Sequence, residues 1–146
     1  MADVVGNRAK GAVHELAQGD ATVFLVALLK AAEADSAIVD HDDVSALLGA
    51  AGNTEADFTN YARKTGVTAT ITIDDANDRV DLDIPDQTWT SAGGTTDNTL
   101  VKLVVGYEVT AADSGRIPCT LHDFAVTTDG SDLTAQINAS GFYRAA

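Results

Sequence analysis

The sequence predicts a mainly β protein: a β-sandwich or barrel-like domain with one or two short helices and an N-terminal arm. Three observations predict it. From residue 65 onward apolar residues recur at every second position, the period of a strand with one buried face. Short apolar segments are separated by stretches rich in Gly, Asp, Asn and Thr, which favour turns. The 146-residue length suits a single modest core. We divide the chain into an arm at residues 1–20 and one β-rich domain at residues 21–146.

The arm carries Gly6, Gly11 and Gly19, few large apolar residues, and the basic pair Arg8 and Lys10. A short helix over residues 9–17 would place Val13 and Leu16 on one side. We expect this segment to lie against a partner rather than to form core. Residues 22–29 (TVFLVALL) follow. A continuous apolar run does not separate strand from helix by period, and residues 30–34 would suit a helix. Val23, Phe24 and Val26 favour extended backbone, so we read a strand. At residues 42–49 a helix follows: an Asp caps its first N–H groups, Val44, Leu47 and Leu48 share one face, and Gly49 or Gly52 ends it.

The alternating region begins with Val67, Ala69, Ile71 and Ile73, separated by Thr68, Thr70 and Thr72. Val80, Leu82 and Ile84 alternate with Arg79, Asp81 and Asp83, and the acid-rich residues 74–78 between the two runs predict a hairpin. Pro85 ends the second strand. Residues 91–98 read as a loop, and residues 99–109 as a long strand with Val101, Leu103, Val105, Tyr107 and Val109 on one face. Leu100 and Val104 on the other face suggest a central position. Residues 111–118 read as loop. His122, Phe124 and Val126 mark a strand, Thr128 to Gly130 a turn, and Leu133, Ala135 and Ile137 its return partner.

Composition narrows the function classes. There are 22 acidic residues against nine basic ones, a net charge of −13. Such a surface repels nucleic-acid phosphates and anionic lipid heads; it serves solubility, and it would also favour docking on surfaces rich in Lys and Arg. We therefore expect no nucleic acid and no membrane as partner. The longest apolar run, residues 21–29, is far short of the roughly 20 residues of a membrane-spanning helix and lacks the features of a secretory signal. A single cysteine, Cys119, allows no intrachain disulfide.

Catalytic patterns do not assemble, so we expect no catalytic residue, no cofactor, no metal site and no small-molecule substrate. His14, His41 and His122 are far apart in sequence. His41 lies among Asp40, Asp42 and Asp43, where helix capping explains the acids without a metal. Asp74, Asp75, Asn77, Asp78, Asp81 and Asp83 do not fit the EF-hand register, and a solvated hairpin explains them. There is no nucleophile elbow and no phosphate-binding glycine loop. Trp89 and Tyr107 offer a glycan-binding alternative, as stacking platforms; a lone Trp in a β protein is more often core or interface.

Several strings are similar to a family of small structural proteins of tailed bacteriophages. NRAKG at 7–11 with VHEL at 13–16 resembles the family's start. DHDDV at 40–44, FTNYARK at 58–64 and DANDRVDLDIPDQTW at 75–89 resemble its middle, and HDFAVTTDGSDL at 122–133 with GFYRA at 141–145 its end. The resemblance spans nearly the whole chain. It implies a virion component without catalytic motifs: a head-decoration protein on the capsid exterior, assembled in the host cytoplasm. Its partners would be the major capsid protein and copies of itself, such as a trimer. A tail tube or minor tail protein is the alternative. On this reading Arg8, Lys10, Val13 and Leu16 of the arm are interface candidates. The strip of Phe58, Tyr61, Arg63 and Lys64 is a second, because Tyr and Arg are enriched at interfaces; an ordinary amphipathic strand of the domain's own sheet is the alternative. Removing residues 1–19 is then expected to leave a folded domain that no longer binds particles.

Overall fold

The computed structural model describes residues 3–11 and 23–145. The fold is mainly β and sandwich-like. One large antiparallel sheet contains β1 (Val4–Val5), β2 (Val23–Ala31), β3 (Thr54–Glu55), β4 (Lys64–Thr68), β8 (Thr99–Glu108) and β9 (Arg116–Thr127). Its order is β1-β9-β8-β2, and β3 and β4 share the outer edge of β2. Across one face lie two small antiparallel sheets. One holds β5 (Thr70–Asp74), β6 (Arg79–Asp83) and β11 (Tyr143–Ala145); the other holds β7 (Gln87–Trp89) and β10 (Leu133–Ala135). The short helices are α1 (Asn7–Gly11), α2 (Asp35–Ile38) and α3 (Val44–Gly49).

The unbroken apolar run of β2 has a simple cause: the strand is buried on both faces, so both sets of alternating side chains must be apolar. Phe24, Val26 and Leu28 enter the core under the small sheets, with Leu82, Ile84, Trp89, Leu103 and Val105. Leu25, Ala27 and Leu29 point the other way and meet Ile38 of α2 with Val44 and Leu47 of α3. Helix α3 begins as the sequence predicts, with the Asp43 carboxylate accepting the Ala46 N–H at 2.7 Å, and it stops at Gly49. The central place of β8 and the β5–β6 hairpin, with its turn at residues 75–78, are also as expected.

Four local expectations are corrected. The segment 65–73 is not one strand. It divides around Ala69, so that β4 pairs with β2 while β5 pairs with β6, and Ile73 lies on the surface. The expected common face of β8 is broken. The ladder with β9 shifts between Leu100 and Lys102, and Val101 packs on the helix side while Leu103 packs on the other. Residues 116–118 are strand rather than loop. Pro118 is tolerated beside a second bulge, where Val105 faces Thr120 but Gly106 faces Pro118. Finally, residues 133–135 do not fold back on β9 but pair with β7, Leu133 opposite Trp89.

A loop-to-loop contact explains that last correction. Ala92 N–H donates to Ser131 O, and Gly130 N–H donates to Ala92 O, both at 2.8 Å. Gly94 and Gly130 pack so closely that a Cβ on Gly130 would lie 3.2 Å from the Gly94 Cα, and both have φ near +90°. Only glycine adopts that backbone without strain. The chain leaving β9 is thereby carried over to the small sheet.

The described part of the arm is built into the domain. Val4 and Val5 pair with Leu121 and Thr120 at the edge of the large sheet, and Ala9 of α1 is buried. Asn7 N–H donates to Val39 O at 2.8 Å.

Candidate functional site

The predicted interface residues separate into three groups. Arg8 and Lys10 are exposed on α1; Arg8 donates to Asp42 O at 3.1 Å and Lys10 to Asn7 Oδ1 at 3.0 Å. Val13 and Leu16, like His14, lie outside the described residues. The strip of Phe58, Tyr61, Arg63 and Lys64 turns inward instead of outward. Phe58 is 2% exposed and packs edge-on against Tyr61. The Tyr61 hydroxyl accepts Leu28 N–H at 3.1 Å and donates to Glu55 at 2.8 Å, and burial pushes its phenol up. Lys64 stands over the Trp89 ring at 5.2 Å. An aromatic-and-arginine string reads alike in sequence whether it covers a partner or ties a loop to its own sheet.

Arg63 is the centre of that tie. Its guanidinium holds both Glu55 oxygens and reaches both Asp113 oxygens at 2.8 Å. Hydrogen bonding to Glu55 is the main cause that raises its pKa. Asp113 also takes Arg116 at 2.7 Å, and Arg116 reaches Glu108 at 3.1 Å. Burial alone would raise Asp113, but Arg63 and Arg116 outweigh it and hold its carboxyl below the usual range. The network fastens β3, the 3-10 turn Asp113–Gly115 and the ends of β8 and β9 to one another.

A second ionic cluster surrounds Lys102, whose side chain is fully buried. Its ammonium lies 2.7 Å from Asp123, its cross-strand neighbour, and 2.9 Å from Asp35 of α2. Burial alone would lower the lysine, yet the two carboxylates raise it. The amine therefore stays charged at neutral pH, which suits a structural ion pair and not a nucleophile. His41, within the acidic string before α3, has its Nε2 2.7 Å from Glu33 Oε2. Asn53 stitches the same place together, accepting Glu33 N–H at 2.8 Å and donating to Leu47 O at 2.9 Å.

A half-open groove of about 500 Å³ lies between the β1–β9 edge and residues 135–142. Val5, Leu103, Phe124, Ile137 and Phe142 give it an apolar lining; Asp3, His122, Asp123 and Gln136 are among its polar residues. The His122 ring has Nδ1 3.3 Å from Asp3 and Nε2 2.9 Å from the Thr120 hydroxyl. Asp3 also accepts the Asp123 N–H at 2.9 Å. Burial alone would raise Asp3, but this N–H and His122 outweigh it and hold the carboxyl below the usual range.

The order carboxylate, imidazole, hydroxyl resembles that of a nucleophile-activating triad. Here Thr120 borders the groove but is 2% exposed and its backbone is paired into the sheet, so little of its hydroxyl is open to a substrate. The arrangement orients the ring and pins the start of β1. Cys119 is equally withdrawn, since burial pushes its thiol up to about 12.

The glycan alternative loses its platform. Trp89 is 2% exposed, with its indole N–H donated to Ala62 O at 2.8 Å, and Tyr107 packs on Phe24. Among the described residues no group of three His, Cys, Asp or Glu side chains is placed to hold a metal ion. No described helix is long and apolar enough to cross a membrane. Set against protein-family models, curated proteins and solved structures, the chain matches none of them.

Proposed function

We propose that this chain is a non-enzymatic structural protein of a tailed-bacteriophage virion, a head-decoration subunit that binds the major capsid protein shell and stabilises it. One observation carries the reading beyond the sequence resemblance: the protein uses its cations internally. Of its nine Lys and Arg residues, six make ion pairs with acids among the described residues of the same chain: Lys30, Arg63, Arg79, Lys102, Arg116 and Arg144. A seventh, Lys64, lies over Trp89. The surface that remains is dominated by carboxylates, with Arg8 and Lys10 exposed on α1.

A rigid acidic block fits a role as a subunit seated on a basic lattice. Complementary potentials steer such encounters and suppress wrong partners. Many modest contacts repeated over a shell add through multivalency. The test is direct: virions are prepared with and without this chain, and density maps of the two are compared. Density lost from the outer face of the head supports the proposal. Density lost from the tail, or a chain missing from wild-type virions, refutes it. Rebinding of purified protein to bare heads should weaken steeply between about 0.1 and 1 M salt, as the screening length falls from about 10 to 3 Å.

A further inference from the structure

Resting on the decoration reading, we propose that the groove between β1, β9 and residues 135–142 seats an extended segment of the shell subunit. That segment carries one large apolar side chain next to a Lys or Arg. The groove has the size of a ligand cleft, about 500 Å³. Its apolar floor is made of side chains at the margin of the core, Val5, Phe124, Ile137 and Phe142, all partly buried within the chain itself. An apolar side chain placed there would complete their burial.

The charge of the lining selects the neighbour of that side chain. Among the described lining residues there are two carboxylates, Asp3 and Asp123, and one histidine, with no Lys or Arg. Asp3 is 65% exposed on its side chain, so it can meet a cation at the rim while still holding His122. Asp123 is already balanced in part by Lys102 beneath it. One wall is β1, a two-residue strand at the outer edge of the large sheet. Sheet edges are where extended chains dock.

The probe is the shell itself: bare heads assembled without this chain, titrated with purified protein. Gln136 lines the groove, is exposed, and tolerates either charge without disturbing the core. Gln136→Lys is expected to weaken binding about fivefold, the scale of a partly exposed charge pair, and Gln136→Glu to strengthen it. Thr72→Lys, on the exposed face of β5, adds the same charge in a different sheet and is expected to leave binding within about twofold of the wild type. Equal effects of Gln136→Lys and Thr72→Lys would mean that net charge alone is felt, and would overturn the groove while leaving the decoration reading intact. So would wild-type binding untouched by both Gln136 variants. A wild-type dimer whose dissociation constant follows the Gln136 charge would assign the groove to a second copy and overturn the proposal. If wild-type protein does not bind bare heads at all, the decoration reading fails and the groove assignment fails with it.

Discussion

Cys119 and Asp113 show how burial decides what a reactive side chain can do. Cys119 lies in the bulge of β9 between Pro118 and Thr120, and desolvation pushes its thiol up to about 12. At neutral pH it is an un-ionised thiol shielded from reagents. Native protein is therefore expected to resist thiol alkylation, with full labelling in denaturant, as read by intact mass; rapid native labelling would contradict the burial. Asp113 behaves in the opposite sense because two guanidiniums face it. Its folded pKa lies below the ordinary carboxylate value. Its stabilisation is thus present above about pH 4 and is lost as pH falls through the lower folded value. Asp113→Asn is expected to cost about 1–2 kcal/mol at pH 7, a figure reduced for partial exposure, and the deficit should shrink below about pH 3 in urea titrations. A constant difference across that range would mean that the charge is not what holds the turn.

At the scale of elements, the ends and crossings of segments matter more than their interiors. Helix α3 is only six residues long, so its single cap is a large share of its local stability. Asp43→Ala should cost about 1 kcal/mol. Gly141 sits at the crossing from residue 140 to β11, with φ +90°, and a Cβ there would collide with the Leu82 carbonyl oxygen. Gly141→Ala forces both a disfavoured backbone and a clash against a paired strand, so it should cost about 2 kcal/mol or more. Thermal melts of the two variants should rank them in that order. The reverse ranking would show that β11 yields easily and contributes little to holding the small sheet in place.

The whole molecule is held by one central hairpin, β8–β9, whose strands are shared between two cores. Residues 3–11 close the edge of that hairpin: Val4 and Val5 lie on opposite cores, and Ala9 is buried. Their loss exposes apolar surface on β9, so removing residues 1–11 should cost about 2–4 kcal/mol, seen as a lower melting temperature with a retained β-rich spectrum. An unchanged melting temperature would show that this segment is dispensable to the fold. The truncation test for particle binding is therefore informative only at a temperature where the shortened chain is folded, which the same melt defines.

Period and composition by themselves determined the strand content, the capped helix at Asp43, the β5–β6 hairpin and the acidic surface. Each of these depends on neighbours within a few residues or on the average character of the chain. Tertiary structure alone decided which strand meets which. The extended segment 64–74 is divided between two sheets, residues 133–135 join β7 across the Gly94–Gly130 contact, and bulges in β9 reset the faces of β8. The groove was likewise illegible, because Asp3, His122 and Ile137 are distant in sequence and meet only when β1 docks beside β9. The strip around Phe58 was legible both as a partner surface and as a strand of the domain's own sheet. Aromatic and Arg side chains serve a partner and the chain's own core by the same contacts, and only folding settles which one surrounds them.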